Sequence, residues 1–267
     1  MQQLATDFLD ECQALYDLMS SLTDADFDRP TLFKDWTLNH VLQHLHFFDR
    51  AAGVSLDDGN AFDRLWAGVQ EARAAGEAPL DVTDRLLDHV RGHALLEAWK
   101  RECHRLSAQF AEADPKMRVK WAGPEMSARS KATARLMETW AHGQEIYDLL
   151  GVRRINTDRI KNIAIMGVKT FGWTFINRGE QVPEHIPHVR LSAPSGEIWE
   201  WNEASDSIRV EGSAEGFCQV VTQVRNVADT DITTTGETAA KWMAVAQCFA
   251  GDAQMPPAPG TRFSAAL

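Results

Sequence analysis

SARSKATARLMETWAHGQEIYDLLG, residues Ser127–Gly151, is the stretch on which the fold and the candidate site depend. It predicts one long helix, because serines at its start can cap free backbone amides and Gly151 can adopt the left-handed conformation that ends a helix. Glu138 and His142 are four residues apart, so they lie on one face of this helix, one turn apart. A carboxylate and an imidazole so placed can bind one divalent metal ion together with ligands from elsewhere. A solvated surface pair is the alternative, which the neighbouring Trp140 makes less favourable.

A second set of metal-ligating residues lies near the N-terminus, on the helix predicted after Trp36. Thr37 is a suitable N-cap, and the helix carries His40, His44 and His46. His40 and His44 are one turn apart and could bind one ion together, whereas His46 points away from both. A single helical histidine is more often a hydrogen-bonded residue than a ligand. The Glu–His pair on another core helix nevertheless favours a metal site between two helices of a bundle.

Other segments up to residue 180 also have helical periodicity. Helices are predicted over residues 2–21 and 61–75, from Pro79 to about Ala113, and over 157–177, with a loop at 116–127. Several helices with short connections predict an all-α bundle over residues 1–180.

Beyond a proline-containing linker at 178–188, the hydrophobic period changes from helical to two. Alternating segments predict strands within 188–195, 197–203, 206–212 and 231–236, and helices are predicted within 214–224 and 238–251. Residues 186–267 should therefore form a small α+β domain. The predicted fold class is a two-domain α+β protein with a helical bundle first.

Composition limits the classes of function. The 267 residues are 44% hydrophobic and 24% charged, with a formal net charge of −11, so a nucleic-acid partner bound through its phosphates is not expected. No apolar run approaches a membrane span and the N-terminus lacks a secretory pattern, so we expect a cytoplasmic protein with no membrane association. The dispersed cysteines are interpreted as structural thiols, which leaves histidines and carboxylates as metal ligands. They are Cys12, Cys103, Cys218 and Cys248.

Two segments carry a family resemblance. WTLNHVLQHL (Trp36–Leu45) and RLMETWAHGQEI (Arg135–Ile146) resemble the metal-binding domain of the mycothiol-dependent maleylpyruvate isomerase family, within the DinB-like four-helix superfamily. WAGPEMS, before the central helix, resembles an uncharacterised branch of that family. The resemblance covers residues 1–180 and, more weakly, the C-terminal domain. It implies a DinB-like four-helix-type bundle followed by a small α+β domain.

The resemblance also implies a site and a chemistry. His44, Glu138 and His142 match the family's ligands for a divalent metal, typically zinc, with one coordination position left open. In the isomerase, a low-molecular-weight thiol on the metal adds to the cis double bond of maleylpyruvate, and rotation and elimination give the trans isomer. His40 and Glu145 occupy positions where relatives more often carry Asp, so the surroundings of the ligands differ from the family pattern.

The C-terminal domain of the family contributes an arginine that faces the substrate, and Arg225 is the best match. The alternative for Arg225 is a surface residue that ends a helix, where a cation interacts favourably with the helix dipole. No residue is clearly assigned to proton transfer. Asp49, one turn beyond His44, is interpreted as a solvated helix residue, and a carboxylate that supports the metal ligands is the alternative.

Three functions follow as hypotheses. The first is a metal- and thiol-dependent isomerase or transferase that acts on a small-molecule substrate. The second is a non-catalytic DinB-like protein that binds a metal or ligand. The third and weakest rests on a resemblance of the C-terminal stretch to tRNA wyosine-forming proteins, against which the acidic charge and the lack of a cysteine cluster speak. The sequence predicts no oligomeric state.

Overall fold

A computed structural model describes residues 1–262 of the protein. These residues form two compact units, of which the first is Met1–Leu149 and the second begins at Leu150. The first unit is a helical bundle, and the second contains a mixed sheet with helices. The predicted α+β fold class is therefore confirmed. Of the domain predicted over residues 186–267, residues 263–267 lie outside the described part.

Six helices build the N-terminal bundle. They are α1 (Gln2–Met19), α2 (Leu38–Asp57), α3 (Gly59–Ala74), α4 (Pro79–Leu86), α5 (Gly92–Glu112) and α6 (Ala128–Leu150). Helix α5 packs against both α1 and α2. Apolar side chains fill these contacts; for example, the rings of Phe8 and Phe110 meet edge to face at 5.7 Å. The long helices α1, α2, α5 and α6 correspond to the predicted four-helix-type bundle.

The long helix predicted from Pro79 to about Ala113 is wrong, because the chain breaks between α4 and α5. Asp88 and His89 have φ angles of 55° and 56°, in the left-handed region that ends a helix. Gly92 also has a positive φ, and a Cβ there would clash with the Asp24 carboxylate. The Gly92 amide donates a hydrogen bond to Asn39 Oδ1 at 2.8 Å, so α5 starts anew against α2.

A short hairpin replaces the loop predicted before the central helix. Strands β1 (Arg118–Val119) and β2 (Met126–Ser127) pair antiparallel and lead directly into α6. Ser55 Oγ of α2 donates to the Lys120 carbonyl at 2.6 Å, and the Lys120 ammonium pairs with Asp63 of α3. These contacts hold the hairpin, and Trp121 at the start of its turn, against the bundle.

The C-terminal unit contains the predicted strands and helices. Its elements are α7 (Lys161–Lys169), α8 (Phe171–Ile176), β3 (His188–Ser192), β4 (Ile198–Trp201), β5 (Arg209–Ser213), α9 (Ala214–Val221), β6 (Thr233–Thr235) and α10 (Glu237–Val245). The sheet order is β4-β3-β5-β6, with β3 and β5 parallel and the other pairs antiparallel. Period-two alternation was therefore a reliable signal for β3, β4 and β5.

Residues 150–180 differ from the expectation, because they lie in the second unit rather than in the bundle. Gly167 of α7 lies so close to α9 that a Cβ there would be 2.9 Å from side-chain atoms of Phe217 and Val221. In α8, the Phe171 ring contacts Trp242 of α10 at 5.1 Å. The helix predicted over 157–177 is also divided, into α7 and α8. Its apolar faces complete the core of the second unit, so the bundle ends with α6.

Within residues 1–262, no helix is both long and apolar enough to cross a membrane.

Helix α6 is long and has several buried charged side chains. Helix α6, with 23 residues, buries Lys131, Arg135 and Glu145. Charged groups removed from water need partners or ligands. The buried charged residues therefore make α6 the candidate location of a functional site.

Candidate metal site

Helix α2 positions the first ligating residue. Thr37 Oγ1 accepts a hydrogen bond from the His40 amide at 3.3 Å, and His40 Nδ1 accepts one from the Thr37 amide at 3.1 Å. The predicted N-cap is confirmed, and this reciprocal pair fixes the first turn of the helix. His44 follows one turn later.

Helix α6 positions the other two ligating residues, Glu138 and His142. Ser127 Oγ accepts a hydrogen bond from the Ser130 amide at 3.1 Å, and Gly151 leaves the helix with a φ of 67°. Both predicted end signals of the central helix are therefore present. Glu138 and His142 lie one turn apart on the face that meets His44.

The three side chains form one cluster. Glu138 Oε2 is 3.2 Å from His44 Nε2 and 3.4 Å from His142 Nε2. One potential ligand atom from each residue lies within 4.8 Å of the other two, and among residues 1–262 no other group of three His, Cys, Asp or Glu meets this spacing. The side chains of His44, Glu138 and His142 are 19%, 25% and 15% exposed, so the cluster is enclosed but still reachable from solvent.

The protonation states suit a cation. Burial, assisted by the neighbouring His142, lowers the pKa of His44 to about 4, so its imidazole is neutral near pH 7. Burial alone would raise the pKa of Glu138, but hydrogen bonds to His142 and His44 outweigh it and hold this pKa well below its usual range. A neutral imidazole and an ionised carboxylate are the forms that coordinate metals.

Aromatic rings enclose the imidazoles. Trp36 stacks on His142 with ring centroids 5.7 Å apart and an interplanar angle of 10°, and Phe33 meets His142 edge to face at 5.3 Å. Phe48, one turn after His44, lies 4.8 Å from the His44 ring. These contacts restrict the orientation of both imidazoles and surround the cluster with apolar surface.

Comparison with known proteins assigns the family. The family model described as the mycothiol maleylpyruvate isomerase N-terminal domain matches residues 8–147, just over half of the chain and a range that includes all three cluster residues. The chain belongs to this family.

Relatives and solved structures agree with that assignment. Two uncharacterised proteins of Mycobacterium tuberculosis, from strains CDC 1551 / Oshkosh and ATCC 25618 / H37Rv, are each 39% identical over 222 residues, which cover 83% of this chain and 85% of theirs. The chain is thus similar to an uncharacterised branch of the maleylpyruvate isomerase family.

The crystal structure of the mycothiol-dependent maleylpyruvate isomerase matches with a TM-score of 0.53, 16% identity, and coverage of 87% of this chain and 91% of that chain. A histidine-to-alanine mutant of that isomerase gives a TM-score of 0.52 with the same identity and coverage. At this identity the likeness shows the fold alone, and it confirms the predicted one.

A buried polar network connects the two ligand-bearing helices. Arg135 Nε donates to Asp49 Oδ1 at 2.8 Å, and Trp99 Nε1 donates to Asp49 Oδ2 at 3.0 Å. Arg135 Nη2 also donates to the Leu45 carbonyl at 3.3 Å. The solvated interpretation of Asp49 is wrong, because its side chain is fully buried. The network joins α2 just after His44 to α6 just before Glu138, so it fixes the spacing of the cluster.

The other histidines of α2 lie outside the cluster. His40 is used as a helix cap, and His46 is buried, without a hydrogen-bond partner for Nδ1 among the described residues. Burial, with Arg50 and Arg101 nearby, lowers the pKa of His46 to about 4. Glu145 is buried on α6. Of the α2 histidines, the structure therefore brings only His44 to the Glu–His pair.

Arg225 lies in the second unit, shortly after α9. Its side chain is buried, with the residue 4% exposed, and Nη1 donates to the Val224 carbonyl at 2.9 Å. The interpretation of Arg225 as a surface residue is therefore wrong. Its role towards a substrate stays a prediction.

The cysteines lie in the core rather than in the cluster. All four are free thiols and buried. Burial raises the pKa values of the Cys12, Cys103 and Cys218 thiols. Buried thiols with raised pKa values are poor nucleophiles, which agrees with a structural interpretation.

Sequence reasoning missed Lys131. It is fully buried on α6, and its Nζ lies 3.0 Å from the centroid of the Trp121 ring. Lys131 and Glu138 are seven residues apart, which places them on one helix face two turns apart. That spacing was a signal in the sequence, although a lysine on a helix is usually solvated.

Proposed function

We propose that this protein is a metal-dependent enzyme that uses a low-molecular-weight thiol to isomerise, or to transfer a thiol group to, a small unsaturated acid. The observation that carries the proposal is the cluster of His44, Glu138 and His142, with its ligand atoms within 4.8 Å of one another. A set of two imidazoles and one carboxylate suits zinc, and three protein ligands without a fourth are typical of catalytic rather than structural zinc sites.

The residues present fit such an ion. His44 is neutral and Glu138 is ionised near pH 7, so neither must lose a proton before it coordinates. When bound, a divalent ion would lower the pKa of a coordinated thiol or water and so supply a nucleophile at neutral pH.

The chain's own side chains would prepare the site. Trp36 and Phe33 hold His142, and Phe48 holds His44, so the imidazoles lose little freedom when a ligand binds. The same rings limit access of water. The cysteines are buried and lie outside the cluster, so the chain's own thiols do not supply the nucleophile, and the proposal takes it from an external thiol.

The family points to mycothiol as that thiol and to a cis-unsaturated acid as the substrate. The S–H bond of the thiol would add across the double bond; after rotation about the resulting single bond, elimination would return the thiol and leave the trans isomer. No oxidant or reductant is needed. The proposal retains Arg225 as the arginine that binds the substrate carboxylate, as the family resemblance implies.

Turnover assays test the proposal. Zinc-loaded protein is mixed with maleylpyruvate and with mycothiol, glutathione or cysteine, and the trans isomer is quantified by chromatography. We expect thiol-dependent turnover that falls by about 100-fold or more in His142→Ala, because one of three ligands is lost. His46→Ala, which removes a buried histidine outside the cluster, is the matched control and should keep its rate.

Two outcomes would contradict parts of the proposal. Stoichiometric metal without turnover with any thiol would leave a non-catalytic metal-binding protein. Equal turnover in wild type and His142→Ala would remove the cluster from the reaction.

A further inference from the structure

Lys131 is a buried basic group to which the chain supplies no counter-ion in hydrogen-bonding contact. The residue is 0% exposed, and its Nζ has no hydrogen-bond partner among residues 1–262. An ammonium withdrawn from water without a hydrogen-bonded counter-ion is costly, and buried lysines are normally paired. Such a group is therefore a candidate for ligand binding.

The charged neighbours of Lys131 are already engaged. Arg135, one turn away, has the same sign of charge and pairs with Asp49. Glu138, the carboxylate that acts on Lys131, is shared between His44 and His142 and would be committed to the metal. Neither residue neutralises Lys131 in the metal-loaded site.

Lys131 is nevertheless connected to the cluster by a continuous series of contacts. Its Nζ lies 3.0 Å from the Trp121 ring centroid, Trp121 is 5.7 Å from Phe48, and Phe48 is 4.8 Å from His44. The ring of Trp121 also stacks on Phe62 at 5.9 Å. These rings form an apolar wall between the ammonium and the metal ligands.

Trp121 separates Lys131 from solvent. It is half-buried, and it starts an exposed turn of the hairpin, residues 122–125. Because the amine is fully buried beneath this ring, a ligand can reach it only if side chains such as the Trp121 indole move, whereas the backbone on either side of Trp121 is held by Lys120 and by β2.

We propose that Lys131 binds one carboxylate of a dicarboxylic substrate, a different one from the carboxylate assigned to Arg225, while the unsaturated part of that substrate lies along Trp121 and Phe48. The position of the reacting carbon rests on the proposed function. The binding of a carboxylate by Lys131 does not. A carboxylate on an apolar, unsaturated body suits one cation beside an aromatic wall, whereas a phosphate usually takes several donors.

The proton balance of binding provides a specific readout. Burial lowers the pKa of Lys131 to about 6, with Arg135 acting in the same direction and Glu138 opposing it. At about pH 8 the free protein thus carries mainly a neutral amine, and a bound carboxylate would draw one proton onto Nζ. A carboxylate that displaces hydroxide from a bound metal would also take up a proton at this pH, so the titration is repeated on metal-free protein, where only Lys131 can account for the uptake.

Calorimetric titration with maleate, in buffers of different ionisation enthalpy at about pH 8, tests this. We expect about one proton taken up per maleate in wild type, and affinity that falls by about tenfold or more in Lys131→Met. Lys131→Arg, permanently charged, should bind maleate without proton uptake. Lys116→Met, which removes an exposed lysine just before the hairpin, should change affinity less than about twofold. The neutral dimethyl maleate should not bind.

Unchanged maleate affinity in Lys131→Met, binding without proton uptake in wild type, or no binding at all would overturn the inference. The same titrations on metal-free protein separate it from the proposed function. Lys131-dependent proton uptake by metal-free protein would support the anion site by itself, whereas a lack of thiol-dependent turnover in the zinc-loaded protein would refute only the proposed function.

Discussion

Two buried basic side chains, Arg135 and Lys131, lie one turn apart on helix α6 and have opposite surroundings. Arg135 is surrounded by acceptors: it donates to Asp49 and to the Leu45 carbonyl, and Asp49 accepts a further hydrogen bond from Trp99. Lys131 has the face of Trp121 and no hydrogen-bond acceptor among the described residues. A network whose partners are internal stabilises the fold, whereas a group left without a counter-ion is available to a ligand. The comparison separates scaffold from site on one helix.

The largest expected effect is a loss of stability when Arg135 is replaced. Arg135→Met should lower the free energy of unfolding by about 3–5 kcal/mol, because Asp49 would remain buried without its counter-charge. Urea unfolding measures this, with Arg129→Met as the control, since Arg129 is an exposed arginine of the same helix. Adding Asp49→Leu to Arg135→Met should restore part of the loss. A loss below about 1 kcal/mol in the single variant would contradict a structural role for the network.

For Lys131→Met we expect the opposite change, an increase in the free energy of unfolding. Its lowered pKa, about 6, means that between about pH 6 and 10 the unfolded chain binds a proton at Lys131 that the folded chain does not. The resulting cost to wild-type stability is largest at low pH and fades as pH rises. Lys131→Met should therefore be more stable than wild type near pH 7, by on the order of a few kcal/mol, with a smaller gain at higher pH.

Urea unfolding of wild type and of Lys131→Met at about pH 6.5 and about pH 9.5 measures how the stability gain changes with pH. Lys116→Met, which removes an exposed lysine, is the control and should show no pH-dependent gain. A Lys131→Met variant that is several kcal/mol less stable at both pH values would make Lys131 a structural residue and end the contrast with Arg135.

The sequence predicted what depends on local periodicity. Glu138 and His142 were placed on one helix face, and the strands β3, β4 and β5 were visible from alternation. The pairing of Asp49 with Arg135 was not, because it depends on how α2 packs against α6, and a lone helical Asp is usually solvated. The family resemblance, rather than the spacing of residues, selected His44 over His40.

The wrong or altered boundaries have similar causes. The break between α4 and α5 depends on Asp88 and His89 adopting left-handed conformations. Neither residue is a glycine or a proline, so the sequence contains no helix-breaking signal at these positions. Residues 150–180 are helical as expected in large part, but which unit covers their apolar face is decided by tertiary packing, such as the close approach of Gly167 to Phe217.

The most direct test of the central claim, a three-ligand metal site at His44, Glu138 and His142, is metal analysis of protein purified without chelator or histidine tag. We predict about one divalent ion per chain in wild type and in His46→Ala, and none in His44→Ala or His142→Ala. Circular dichroism of each variant would establish that the bundle is intact. A full complement of metal in folded His142→Ala, or metal-free wild type after incubation with zinc, would contradict the site.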